Sequence, residues 1–256
     1  MLKEERLKEI TTMLHINGKV EVSNLCRIFN VTEMTIRRDL NDLVERQIAV
    51  RSHGGAILAP DSTLNETPYE LRISHHLAQK EAIAHSALSF IHDGDRIFFD
   101  SSTTAYCLAR RIPSTQKLLA VTDTLTTAVE LNARTSVKVV CLGGELKKTT
   151  GSCTGAFAES MLKTMHFNTA FLGLPRISAD GTLSTSSTSE LAIKRTVIER
   201  ADQVILLVDS SKLGSPDFLE IGHLSQTNVL ITDDKMPQDF IRYCQSQNVQ
   251  TVIAQV

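Results

Sequence analysis

Seven short, nearly uninterrupted apolar runs occupy the last two thirds of the chain, and they constrain its fold more than any other feature. They span residues 96–99, 118–122, 137–142, 169–173, 203–209, 229–232 and 250–254. A strand with one wet face alternates polar and apolar residues, whereas a strand covered on both faces is apolar throughout. Helical segments or irregular loops separate most of these runs. Strands of this kind alternating with helices predict an α/β domain built on a mainly parallel sheet.

The first 58 residues follow a different pattern. A helix is expected over residues 2–16, with Leu7, Ile10, Met13 and Leu14 on one stripe and Asn17-Gly18 closing it. Val20-Glu21-Val22 is short and extended. Ser23 is expected to cap a second helix carrying Leu25, Cys26, Ile28 and Phe29, and Thr32 a third over residues 33–47. Residues 48–52 and 56–58 flank a His53-Gly54-Gly55 turn and predict a β-hairpin. Together these elements describe a winged helix-turn-helix. Residues 59–68, with two prolines, are the best linker in the chain, and a helical stretch then runs to about residue 91. The expected organisation is a winged helix-turn-helix over 1–58, a linker with the start of a connecting helix over 59–75, and the α/β domain over 76–256.

Composition excludes several classes. With 42% hydrophobic and 22% charged residues, the chain is globular rather than disordered. No apolar run approaches the roughly 20 residues that span a bilayer. The charged start, Met1-Leu2-Lys3-Glu4-Glu5-Arg6, lacks the apolar core of a signal peptide, so a cytoplasmic location and no membrane partner are expected. Cys26, Cys107, Cys141, Cys153 and Cys244 are scattered, with no CxxC pair and no histidine spacing suited to zinc. The adjacent His75 and His76 face different directions on a helix. No metal or other cofactor is expected.

On the third helix, at about 100° per residue, Ile36, Leu40, Leu43 and Val44 share one arc and form a core face. Met34, Thr35, Arg38, Asn41, Asp42 and Glu45 fall opposite, with Arg37 on a flank. Arg pairs bidentately with guanine and Asn with adenine, so this row suits base edges in a major groove. Arg37 is better placed for a phosphate. An ordinary solvated face has the same periodicity. Residues 1–58 carry nine Lys/Arg and eight Asp/Glu, a balance of +1 against −2 for the whole chain. One such module would hold DNA weakly, because affinity grows with each phosphate neutralised. A DNA-binding reading therefore entails two or more copies on one site.

Three loops of the second half have the chemistry of an anion site, each at the carboxyl end of an expected strand, where open α/β sheets bind ligands. Asp100-Ser101-Ser102-Thr103-Thr104 offers hydroxyls and free backbone N–H groups at a helix start. Gly143-Gly144 lets a backbone approach a ligand closely. Asp209-Ser210-Ser211-Lys212 brings a cation. Each loop taken singly reads equally well as a capping turn.

The block Val31-Thr32-Glu33-Met34-Thr35-Ile36-Arg37-Arg38-Asp39-Leu40, with Arg51-Ser52-His53-Gly54-Gly55-Ala56 after it, closely resembles the DeoR family of bacterial repressors. In that family T-x-R-R-D-L lies on the recognition helix and H-G-G-A forms the wing. The resemblance implies that Asp39 braces Arg37 or Arg38, or caps a neighbouring helix. The second half resembles the family's effector domain, similar in fold to ribose-5-phosphate isomerase, through Asp100, Thr103, Thr104, Thr122, Gly143, Gly144, Gly173, Asp209, Ser211 and Lys212. Ser102 stands where a glycine is usual and Asp123 where an asparagine is usual. Leu174-Pro175-Arg176-Ile177 replaces a glycine-containing turn. A charged Asp123 would repel phosphate and is better suited to accept from sugar hydroxyls, with Arg176 offsetting it or holding the phosphate.

The resemblance implies a repressor of a sugar-catabolism operon released by a phosphorylated sugar. Its partners would be double-stranded operator DNA, that effector and further copies of the chain. DNA contacts would come from Thr32, Met34, Thr35, Arg37, Arg38, Asn41, Arg51 and His53. Effector contacts would come from Asp100, Ser101, Ser102, Thr103, Thr104, Thr122, Asp123, Gly143, Gly144, Arg176 and Lys212. Two other readings stand beside it. An isomerase-like enzyme needs a positioned base, and Asp100, Asp123 and Lys212 form no compelling acid–base pair, so no catalytic residue is assigned. A DNA-binding protein with a degenerate, ligand-free sensor would follow if the three departures abolish the site.

Overall fold

A computed structural model describes residues 2–46, 48–59 and 69–256. Gln47 and, apart from Ala59, the expected linker over 59–68 lie outside the described residues. The chain divides into two compact units, Met1–Leu71 and Arg72–Val256.

The first unit contains helix α1 (Lys3–Asn17), strand β1 (Lys19–Glu21), helix α2 (Val22–Phe29), helix α3 (Glu33–Glu45) and strands β2 (Ala49–Ser52) and β3 (Gly55–Leu58). β2 and β3 form the wing hairpin, and β1 pairs antiparallel with β3, giving the order β1-β3-β2. Leu7, Ile10 and Leu14 of α1 meet Leu25 of α2, and Ile36, Leu40 and Leu43 of α3, in one buried cluster. The apolar stripe expected on α3 is thus its core face. Ser23 does not cap α2. The helix begins two residues earlier than that cap implies, at Val22, whose N–H donates to the Gly54 carbonyl at 2.9 Å, so the wing turn satisfies a donor a side-chain cap would have served.

The second unit opens with the end of α4 (Tyr69–Ser74) and with α5 (Leu77–Ala87). The single helix expected here is broken at His76, whose φ of 53° is left-handed. Then follow β4 (Arg96–Phe99), α6 (Thr103–Arg111), β5 (Leu118–Thr122), α7 (Leu125–Asn132), β6 (Val137–Cys141), the small hairpin β7 (Glu145–Leu146) and β8 (Cys153–Thr154), α8 (Ala156–Lys163) and β9 (Phe167–Leu172). The chain continues through β10 (Arg176–Ile177), β11 (Thr182–Thr185), α9 (Thr188–Arg200), β12 (Ala201–Leu207), β13 (Leu219–His223), β14 (Val229–Asp233), α10 (Gln238–Ser246) and β15 (Gln250–Ala254).

All seven expected apolar runs lie in one parallel sheet of order β15-β14-β12-β9-β4-β5-β6. Their side chains alternate between two cores. Phe98, Leu172 and Leu206 enter one cluster, while Ile97, Phe99, Phe171, Ile205 and Leu207 enter the other. That is why the runs read as continuously apolar. The chain winds one way from β4 to β6 and the other way from β9 to β15, so the strand order reverses between β4 and β9. Ligands of open α/β folds bind at the carboxyl ends flanking such a reversal.

Candidate functional site

On the first unit, Thr32 caps α3 by accepting the Thr35 N–H at 3.3 Å. Met34 is 64% exposed, and Arg37 bonds Glu33 at 3.2 Å one turn back. Arg38 and Asn41 on α3, and Arg51 and His53 on the wing, are exposed, with no side-chain hydrogen bond or ion pair among the described residues. The acids of α3 take the opposite role. Asp39 is buried and accepts from Arg6 of α1 at 2.5 and 3.2 Å, and Asp42 accepts from Lys3 at 2.6 Å. Asp39 thus braces neither Arg37 nor Arg38 and caps no neighbouring helix among the described residues; its partner is the Arg6 side chain. Asp39 and Asp42 tie α3 to α1 and turn their charge away from the face that carries Arg38 and Asn41.

On the second unit, the sequence-predicted residues fall into two groups. Asp100–Thr104 follow β4, Thr122 ends β5 with Asp123 directly after it, and Gly143 and Gly144 follow β6, so three adjacent strand ends carry them. Asp100, Ser101, Thr103, Thr104, Thr122 and Asp123 are all buried. The Asp100 carboxylate accepts the Ser102 N–H at 3.0 Å, the Gly173 N–H at 2.9 Å and the Lys194 ammonium. It is fully engaged as a brace across the β4–β9 reversal. Ser102 caps α6, accepting the Ala105 N–H at 3.1 Å. It lies so close to Gly173 that a Cβ there would sit 2.3 Å from the serine Cβ. The N–H groups of Thr103 and Thr104 have no partner among the described residues, as a helix start leaves them. Gly144, at φ 140°, passes the Thr154 carbonyl where a Cβ would clash at 2.4 Å, so it is needed to close the β7–β8 hairpin.

The second group lies at the end of β12. The Lys212 ammonium makes no hydrogen bond or ion pair among the described residues, while its backbone N–H donates to the Asp209 carbonyl at 3.0 Å. Its pKa is lowered by burial, opposed by Asp209, with Arg176 and Arg72 repelling it. Arg176, on β10, is exposed and reaches the Ser211 carbonyl at 3.4 Å, so the fold brings it to the Lys212 turn. The ends of β5 and β12 are three strand spacings apart, about 14 Å.

Four polar residues escaped the sequence reading. Lys194 is buried on α9, bonded to Asp100 and at 2.7 Å to the Gly173 carbonyl. Burial alone would depress its pKa, but Asp100 and Glu190 outweigh that and raise it. A signal existed: Glu190, Ile193, Lys194 and Val197 have the spacing of one buried stripe. Thr124 and Thr127 are fully buried and their hydroxyls, like Oδ1 of Asp123, have no partner among the described residues. Ser152, also buried, sits opposite Thr124 in an isolated bridge.

Burial, with Asp100 adding to it, pushes the Asp123 carboxyl up to about 8. At neutral pH this side chain is therefore largely uncharged and does not repel an anion, unlike the charged aspartate the sequence suggested. The folded unit holds a proton on Asp123 that the unfolded chain releases above about pH 4, so stability falls as pH rises between about 4 and 8. The slope is about 1.4 kcal/mol per pH unit. Denaturant unfolding of the wild type and Asp123→Asn across this range checks it, the variant being expected to lack that component of the slope. Parallel pH profiles would contradict the assignment.

Among the described residues no helix is long and apolar enough to cross a membrane, and no group of three metal-ligating side chains assembles. The model of the DeoR-like helix-turn-helix domain matches residues 6–62, and that of the DeoR C terminal sensor domain matches residues 75–234. The HTH-type transcriptional regulator YulB of Bacillus subtilis is 35% identical over 97% of this chain and 96% of its own length. The glycerol-3-phosphate regulon repressor of Escherichia coli is 30% identical over 98% of each chain. The lactose phosphotransferase system repressor of Streptococcus mutans is 34% identical over 91% of this chain and 93% of its own. Matched over its helix-turn-helix unit and over an α/β sensor unit, the chain belongs to the DeoR family of DNA-binding transcriptional regulators.

Proposed function

We propose that the protein is a cytoplasmic repressor of a sugar-catabolism operon, binding operator DNA as a homo-oligomer and released by a phosphorylated sugar. The observation that carries this reading is Lys212, a cation inside the second unit with no counter-charge bonded to it and with Arg176 brought alongside. Such a site gains most from an anion. The phosphate is assigned to Lys212 and Arg176; the buried, unpartnered oxygens of Asp123, Thr124 and Thr127, about 14 Å away along the sheet, form a separate polar cluster beyond the reach of one sugar phosphate held there. The N–H groups of Thr103 and Thr104 and the glycine turn at Gly143 flank that separate cluster. The relatives' names, a glycerol-3-phosphate regulon repressor and a lactose phosphotransferase system repressor, support this class of effector. Asp100 is consumed as a brace and Asp123 is protonated near neutrality, which supports a binding role over an enzymatic one.

The DNA side is assigned to Arg38 and Asn41 reading bases, with Thr32, Met34, Thr35, Arg37, Arg51 and His53 around them. Arg38→Ala is expected to weaken operator binding by about 1–3 kcal/mol and to relax preference at one base pair. Unchanged affinity and base preference would remove Arg38 from the reading set. A thermal-shift screen against phosphorylated sugars tests the effector side, because a specific ligand raises stability by mass action. One or a few are expected to stabilise the wild type and not Lys212→Ala. A ligand that stabilises both alike contradicts the assignment of its phosphate to Lys212.

A further inference from the structure

Lys80 is a buried cation that neither the DNA-reading face nor the effector site uses. It lies in the first turn of α5, only 4% exposed, and its ammonium donates to the carbonyl of Arg72 and, at 2.5 Å, to that of His75. Both carbonyls belong to the last turn of α4 and the residue after it, where a helix leaves its acceptors unsatisfied and its negative dipole end exposed. One ammonium thus ties together the break that the left-handed His76 makes between α4 and α5. Through α4 the chain from the DNA-binding module enters the second unit.

The surroundings make this tie sensitive to charge. Burial first, and then the neighbouring Lys212, lower the Lys80 pKa to about 8, with Asp209 and Cys107 opposing and Arg72 adding to the repulsion. Asp209 itself already accepts the Ser211 N–H at 3.1 Å and the Ser211 hydroxyl. His75 from the turn, Arg176 from β10, Glu81 of α5 and Asp233 at the end of β14 also lie among the ionisable groups around Lys80 and Lys212. Cations therefore repel one another here, while Asp209 and, through the Ser210 N–H at 2.6 Å, Asp233 are already engaged by the turn.

We propose that Lys80 couples the Lys212 site to the α4–α5 turn: an anion on Lys212 relieves the repulsion on Lys80 and tightens its hold on the Arg72 and His75 carbonyls. The end of the helix that carries the chain in from the DNA-binding module is then fixed in the liganded protein and looser in the free one. This rests on the reading that Lys212 receives the effector's phosphate. It makes Lys80 a positioning residue that touches neither the sugar nor the DNA.

Hydrogen exchange across residues 72–80 of the full chain tests the coupling, with inorganic phosphate as the probe and its binding followed separately by calorimetry. Phosphate is expected to slow exchange in this segment of the wild type about tenfold. In Lys80→Met phosphate still binds, but the segment exchanges fast with or without it. If Lys80→Met does not fold, Lys80→Gln, which keeps a donor without the charge, is expected to give the same loss of response. A variant that binds phosphate and protects the segment as the wild type does overturns the coupling and leaves the Lys212 reading intact. Absence of phosphate binding to the wild type, or undiminished binding by Lys212→Met, overturns that reading and the coupling with it.

Discussion

Asp39→Ala is expected to unfold the DNA-binding module while leaving the sensor unit folded. The substitution strands the Arg6 guanidinium, 7% exposed, without the carboxylate that holds it at 2.5 and 3.2 Å. Breaking a buried pair from one side costs about 3–5 kcal/mol, because an uncompensated charge stays in the interior. Whole domains are stable by only about 5–15 kcal/mol, and a module this small lies near the lower end. Two thermal transitions are expected in the wild type, and only the one assigned to residues 1–71 should fall. Operator affinity falls with it, although Asp39 does not face DNA. Replacing both partners with apolar residues of similar volume should recover most of the stability. A single variant with unchanged transitions would show that the pair is not buried in solution.

Lys194→Met is the corresponding change in the sensor. It removes the ammonium from Asp100 and leaves that carboxylate, 1% exposed, beside the buried Asp123. The expected loss is again about 3–5 kcal/mol. The effect should extend beyond stability, because Asp100 also holds the N–H groups of Ser102 and Gly173 and so sets the loop at the start of α6. The upper transition is expected to fall and any stabilisation by a phosphorylated sugar to weaken, with the DNA-binding module unaffected. A variant as stable as the wild type would contradict a brace role for the Lys194–Asp100 pair.

The parallel sheet was legible because burial on both faces writes itself into the sequence as uninterrupted apolar runs. Residues 96–99, 118–122 and 250–254 match their strands end for end, and the others differ by one or two residues at either end. The antiparallel sheet of β10, β11 and β13 was not legible. Arg176–Ile177 is too short, and Thr182–Thr185 and Leu219–His223 carry too many polar residues to signal a core strand. The face of α3 was legible from its period, but the use of its acids was not. Asp39 meets Arg6 across 33 residues of sequence, and Lys3 meets Asp42 through the same packing of α1 on α3. Periodicity places side chains on a face and says nothing of which helix covers it. The same limit hid Lys194, a charged residue on a buried stripe.

The electrostatics of the sensor changed most between sequence and structure. Asp123 looked like a fixed negative charge, and Asp100 like a ligand for the effector. Burial makes the first a largely neutral carboxyl, and three internal donors occupy the second. What the internal bonds leave over is an ammonium at Lys212 with no bonded counter-charge and a buried set of unpartnered oxygens at Asp123, Thr124 and Thr127.

Central to the proposed function is control of the helix-turn-helix's grip on DNA by a phosphorylated sugar bound in the sensor. Fluorescence anisotropy of a labelled operator fragment, titrated with the sugar phosphate that stabilises the protein, measures this directly. That ligand is expected to release the wild type from the operator, because a ligand shifts only an equilibrium between states it binds unequally. Lys212→Ala should bind the operator as tightly as the wild type and fail to release. Operator affinity that stays constant while the ligand saturates the sensor would contradict the claim.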